Sequence, residues 1–169
     1  MSLVLRRATA ADLPAIVALV QAVVPLMNAA GNYQWTSEYP NEAVFRQDVE
    51  RQHLWVAEQA GAVVGVAALT QDQDPEYADA NWDATEPALV THRLAVAPSA
   101  QGLGVAQALL QQAETEAHRL GLRTLRVDTN SENAATQRLF PKLGYRFAGE
   151  IQLAFRPGLR FFCYEKQLN

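Results

Sequence analysis

Residues 101–106 read Gln-Gly-Leu-Gly-Val-Ala and lie between an apolar run closed by Pro98 and a long amphipathic stretch. That arrangement describes an anion site. Gly102 and Gly104 let backbone N–H groups approach a ligand with no side chain in the way. The first turn of a helix beginning here would add unsatisfied N–H groups and the positive end of its dipole. Together these features suit a pyrophosphate. A dinucleotide turn, G-x-G-x-x-G, fails because Gln107 stands at the third glycine position. A Walker loop fails because no G-K-[ST] is present. What remains is Q-x-x-G-x-A, carried by Gln101, Gly104 and Ala106. The plain structural alternative is a tight strand-to-helix turn with no ligand.

The flanking segments decide how such a turn would be held. Residues 88–97 read as a strand ended by Pro98. Residues 102–120 read as the clearest helix, with Ala106, Leu109, Leu110, Ala113, Ala117 and Leu120 as its stripe and Gly121 as its stop. Residues 122–128 read as a further strand, so 88–128 forms one βαβ unit, whose two strands are expected to splay. Upstream, 3–7 reads as a strand, and Thr9 and Asp12 mark a helix start. Pro25 is expected to end or kink that helix, with Gly31 closing it. Residues 32–40 read as a loop and 41–52 as a short helix. Residues 53–59 and 62–70 read as a hairpin around Ala60-Gly61. Residues 71–87 form a long polar connection, a kind of loop that is often functional. A helix over 131–140, curtailed by Pro141, and strands over 145–150 and 159–166 complete the chain. With one βαβ unit and an early hairpin, the sheet is expected to be mixed, with helices on both faces.

The chain has 169 residues, 49% of them hydrophobic and 19% charged, which fits one globular domain over 1–169. A net charge of −4 argues against broad nucleic-acid binding. One cysteine, Cys163, cannot form an internal disulfide or a cysteine zinc cluster. No signal peptide is apparent at residues 1–7, and no apolar stretch approaches the roughly 20 residues of a membrane span. The expectation is a cytoplasmic protein with no membrane partner.

The segment Leu94 to Leu110, LAVAPSAQGLGVAQALL, resembles motif A of the GNAT N-acetyltransferases, whose pattern is [RQ]-x-x-G-x-[GA]. The downstream SENAATQRLFPKLGYR is similar to that family's N-x-x-A…K-x-G-[FY] element, and FFCYEK to a branch of small bacterial members. The likeness is tight over residues 92–146. It implies a three-layer α-β-α fold with a mixed, mostly antiparallel central sheet. It also implies an enzyme using acetyl-CoA, with no metal, to acetylate a primary amine of a small molecule or peptide by direct transfer in a ternary complex. Amides of Gln101, Gly102, Leu103, Gly104, Val105 and Ala106 would hold the coenzyme A pyrophosphate. Leu94 and Val96, flanking Ala95, would pair with the pantetheine arm, and Asn133 would hydrogen-bond it. A homodimer is common in such families.

Phe140 stands where many members carry the tyrosine that protonates the departing thiolate. A thiol pKa of about 8.5 makes the thiolate a fair leaving group without an acid, and Tyr145 or water is the substitute. His92, on the central strand, is the candidate base, with Glu86 and Asp128 competing. A satisfied strand histidine is the plainer alternative. Trp35, Tyr39, Tyr77 and Trp82 either line an acceptor pocket or pin the loops. Phe140 and the lack of an obvious base leave two rivals: a non-catalytic acyl-CoA-binding sensor, and a nucleotide-binding regulator.

Overall fold

The computed structural model describes residues 2–169. The hairpin expected at Ala60-Gly61 forms there: φ is +51° and +79°, the two left-handed residues a type I′ turn requires. It joins β2 (Leu54–Gln59) to β3 (Ala62–Thr70). β1 (Val4–Arg7) pairs with β2, and β4 (Leu89–Val96) with β3, all antiparallel. α3 (Val105–Arg119) then crosses back to β5 (Thr124–Asn130), the one parallel neighbour of β4. β6 (Arg146–Ile151) and β7 (Phe161–Gln167) form a closing hairpin, with β7 inserted beside β5. The seven-stranded order is β1-β2-β3-β4-β5-β7-β6, a mixed and mostly antiparallel sheet.

Strand alternation sorts the core to two faces. Val66 and Ala68 pack with Ile16, Val20 and Val24 of α1 (Leu13–Ala29) and Phe45 of α2 (Glu42–Glu50). Ala67 and Leu69 face Leu109, Ala113 and Ala117 of α3 and Phe140 of α4 (Ala134–Lys142). The fold is thus the expected α-β-α arrangement. Gly65 sets the depth of one layer: a Cβ there would stand 2.5 Å from Val105 Cγ1. Only a glycine lets the front of α3 lie this close to β3. Cys163 is buried in a third cluster with Tyr77, Val90 and Phe161, and burial pushes its thiol pKa up, as suits a small hydrophobe.

Three expectations need correction. α1 runs through Pro25, and α4 through Pro141. In α1 the lost backbone bond is offset by burial of Val20, Val23 and Val24 on one stripe. In α4 the proline lies in the last turn, where few bonds are left to break. Nor does the expectation hold that no apolar stretch approaches membrane-span length. Ala10–Ala29 is 20 residues long with hydropathy 1.9, enough by length and composition alone. The core explains that apolarity, since Leu13, Ile16, Leu19, Val20, Val23 and Val24 are buried.

The entry to α1 is pinned by charge. Arg6 Nη1 and Nη2 donate to the two Asp12 carboxylate oxygens, both at 2.8 Å, and Thr9 N–H donates to Asp12 Oδ2 at 2.7 Å. The Arg6 hydrogen bond holds the Asp12 pKa down at about 2, against an ordinary 3.8. A depressed folded pKa contributes stability that is complete above the unfolded value and is lost as pH falls through the folded one. Asp12→Asn should therefore melt below wild type at neutral pH, with the gap closing between about pH 4 and pH 2. Thermal melts across that range measure it, and a pH-independent gap would contradict it.

Candidate active site

β4 and β5 stay in register for three pairs only: Leu89–Leu125, Val90–Arg126 and Thr91–Val127. Beyond Thr91, β4 continues to Val96 and β5 to Asn130, and the two strands part. A bulge marks the parting. Between the pairs Ala68–His92 and Val66–Ala95, β4 takes three steps against two on β3. Arg93, within it, has φ +53°, left-handed backbone that costs a side-chain-bearing residue about 1–2 kcal/mol. Past the bulge, Ala97 N–H bonds Val64 O at 2.8 Å. Strand alternation therefore turns the peptide groups of Leu94 and Val96 away from β3 and into the gap.

The turn over residues 101–104 leads from this gap into α3. Gly102 and Gly104 have φ +78° and +81°, and a Cβ on either would meet nothing within 4 Å. The first bond of the helix is Ala108 N–H to Gly104 O, at 3.0 Å. The amides of Val105, Ala106 and Gln107 thus have no intrahelical acceptor. A cleft of about 1650 Å³ runs from this turn, along Leu94, Ala95 and Val96, to the far side of the sheet. Gln101, Gly102, Gly104, Val105, Ala106, Asn133 and Phe140 all line it. Leu103 does not; it is 57% exposed and its side chain faces solvent. Asn133 is the N-cap of α4, its Oδ1 accepting from Thr136 N–H at 3.2 Å. That satisfies the local-cap alternative. Its Nδ2, among the described residues, has no protein acceptor and remains free toward the cleft.

At the opposite end of the cleft, Asp74, His92 and Asp128 each bring one ligating atom within 4.8 Å of the others, a spacing that could take a divalent cation. Tyr77 O–H donates to Asp128 Oδ2. Burial raises the Asp128 pKa, while the Tyr77 hydrogen bond and the nearby His92 work against the rise. His92 Nε2 lies 3.2 Å from Asp72 O. A carbonyl only accepts, so Nε2 carries the hydrogen and Nδ1 of the neutral ring keeps its lone pair. A basic nitrogen and a carboxylate thus stand together where the strands part.

The long connection over residues 71–87 forms the wall behind this group and is held by Arg126. That side chain is fully buried, donating to Glu165 Oε2 at 2.9 Å, Gln73 Oε1 at 2.8 Å and Asp83 O at 2.6 Å. Trp82 covers the guanidinium at 4.5 Å. Removing one partner of such a buried pair costs about 3–5 kcal/mol. Trp82 Nε1 in turn donates to Tyr77 O at 2.8 Å. Of the four loop aromatics, Trp35 and Tyr39 line the cleft, and Tyr77 and Trp82 pack behind it.

Two expected proton carriers lie elsewhere. Glu86 sits before β4 and accepts from Thr124 Oγ1 at the start of β5, the paired end of the sheet, outside the cleft lining. Tyr145 is buried on the far side of Phe140, and its hydroxyl has no hydrogen-bond partner among the described residues. It lines a separate cavity of about 80 Å³ with Glu114 and Lys166, and burial raises its pKa. Neither is positioned to exchange protons in the cleft. Sequence reading missed Arg93, Arg126 and Asp74. Only Arg126 carried a signal, as an arginine inside an apolar strand that must find partners.

Residues 20–145 match the model of the Acetyltransferase (GNAT) family. Among solved structures, a GNAT-family acetyltransferase from Streptococcus agalactiae is 26% identical, with TM-score 0.86 over 99% of this chain and 96% of that one. An N-acetyltransferase from Staphylococcus aureus is 26% identical, with TM-score 0.71 and full coverage of both chains, 100% each. A Salmonella typhimurium protein solved with its cofactor acetyl-CoA shares the fold at 24% identity, with TM-score 0.74 over 100% and 95% of the two chains. No curated protein sequence matches the chain.

Tyr77→Phe should raise the Asp128 pKa further, because the lost O–H stabilises only the ionised carboxylate. Carbon-detected NMR titration of the aspartate carboxyls reads this directly. An unchanged or lowered Asp128 midpoint would show that the phenol does not bear on its charge.

Proposed function

Because the chain belongs to the acetyltransferase (GNAT) family, we propose that it moves the acetyl group of acetyl-CoA directly onto a primary amine. One observation carries the reading: the free amides at the front of α3 open into the same cleft as the unpaired edge of β4. The residues fit the group. Gly102 and Gly104 leave room for a diphosphate against the amides of Val105, Ala106 and Gln107. Leu94 and Val96 offer strand-type hydrogen bonds to an extended amide-bearing arm. Asn133 Nδ2 offers one more donor. When bound, acetyl-CoA supplies an activated acyl carbon on a thioester.

The chain's own groups then have separate tasks. A peptide N–H of β4 in the gap, near Val96, donates to the oxygen on which charge develops. His92, through Nδ1 or an intervening water, takes the proton that the amine releases. Asp74 and Asp128 stand beside His92, each with a carboxylate oxygen within 4.8 Å of a ring nitrogen. Phe140 cannot protonate the departing sulfur, and Tyr145 lies off the cleft. A coenzyme A sulfur held here would thus meet neither a Phe140 nor a Tyr145 acid, and with a thiol pKa of about 8.5 it would not require one. Holding the two reactants in one cleft contributes much of the rate.

Gly104→Trp should place an indole in the open cradle and weaken acetyl-CoA binding by about a hundredfold, ~2.8 kcal/mol, in a folded protein. Calorimetry with acetyl-CoA, ATP and NAD measures it. Unchanged acetyl-CoA affinity, or preferential binding of either nucleotide by wild type, would overturn the cofactor assignment. Turnover is read as thiol release over a panel of primary amines. Binding without release on any amine would favour a sensor.

His92→Ala should lower kcat/KM by about a hundredfold or more and flatten its rise with pH. A pH–rate profile that superimposes on wild type would remove His92 from the reaction.

A further inference from the structure

The bulge that opens the gap is held from outside the sheet. Arg93 Nε donates to Asp48 Oδ2, and Arg93 Nη2 to Asp48 Oδ1, both at 2.7 Å. This is the fork geometry in which arginine and carboxylate bind most firmly. Asp48 lies in the last turn of α2, 45 residues away in sequence, and its side chain is 8% exposed, that of Arg93 19%. Burial disfavours the guanidinium charge, but the Asp48 hydrogen bond, the Asp48 charge and Tyr39 together outweigh it, so the Arg93 pKa is raised. The Tyr39 hydroxyl stands against the same guanidinium. α2 is itself fixed by Asn41, whose Oδ1 accepts from Val44 N–H at 3.1 Å, and by Phe45, which is fully buried. The pair therefore ties the least favoured backbone conformation in β4 to a packed helix.

We propose that Asp48 and Arg93 are positioning residues for acetyl-CoA. Their ion pair stabilises the left-handed backbone at Arg93, and that backbone decides which peptide groups face the gap. The argument is one of phase. Side chains and peptide groups alternate along a strand with period two, so one inserted residue reverses every group beyond it. With the insertion, Ala97 bonds β3 and Leu94 and Val96 face the gap. Without it, Leu94 and Val96 would turn to β3 and Ala95 would face the gap. Neither Asp48 nor Arg93 is asked to touch the reacting atoms.

This inference rests on the acetyl-CoA reading above, and glycine separates the two. Arg93→Ala loses the ion pair and keeps the cost of left-handed backbone. Arg93→Gly loses the same ion pair but adopts that backbone freely. The experiment is acetyl-CoA calorimetry on wild type, Asp48→Asn, Arg93→Ala and Arg93→Gly, with a thermal melt of each. Asp48→Asn and Arg93→Ala should bind about tenfold more weakly, matching the left-handed backbone cost. Arg93→Gly should recover most of the loss, although its melting temperature falls as in Arg93→Ala. Equal affinities for Arg93→Ala and Arg93→Gly, whether both weak or both like wild type, would overturn the positioning role. If Arg93→Ala does not fold, Asp48→Asn with wild-type affinity would overturn it. A wild-type protein that binds no acetyl-CoA would instead sink the acetyltransferase reading itself.

Discussion

The early end of the β4–β5 ladder is the constraint from which the site follows. A parallel pair that kept its register would satisfy its peptide groups internally and leave no opening between the two layers of helix. Here pairing stops at Thr91–Val127, and the backbone beyond it faces a cleft. Backbone polar groups need partners, in water or in a ligand. An extended molecule bearing amides is a natural partner for a strand edge, and a diphosphate for the front of a helix. The two demands meet in one cleft because only eight residues separate the end of β4 from the start of α3, which packs onto β3 over Gly65.

The other end of the cleft is built by a different kind of force. Residues 71–87 contain little regular structure, only a short 3-10 turn over Pro75–Asp79. They are held by polar contacts to buried groups: Gln73 and Asp83 to Arg126, and Tyr77 to Asp128. Burying a charge is costly unless its hydrogen bonds are met, and Arg126 meets its own partly through this loop. The same anchoring puts Asp74 beside His92 and Asp128. Fold stability and the placement of Asp74 beside His92 and Asp128 are thereby coupled through one arginine.

Much of this organisation was legible residue by residue. The hairpin at Ala60-Gly61, the glycine turn at 101–104 and the long stripe of α3 are local patterns, and each forms close to where it was expected. Where local rules failed, tertiary packing opposed them. Pro25 was expected to end or kink α1, but the helix continues to Ala29 behind a stripe, Leu13 to Val24, that is buried in the core. Glu86 and Tyr145 have suitable chemistry for proton transfer, yet they lie beyond the cleft, a fact with no local signature. The bulge at Arg93 was equally silent, since arginine is not a residue whose type suggests left-handed backbone.

The amino-acid sequence by itself determined the element types, the glycine turn at the front of α3 and, through the resemblance those motifs carry, the family. These depend on near neighbours: periodicity, backbone freedom at glycine, and the unsatisfied amides of any helix start. Only the tertiary structure decided which groups share the cleft. The Asp48–Arg93 pair, the Tyr77–Asp128 bond and the exclusion of Tyr145 join or separate residues through the register of a sheet. One bulge in that register reverses which groups face the gap. Such distances are set by how layers pack, and no short stretch of sequence contains them.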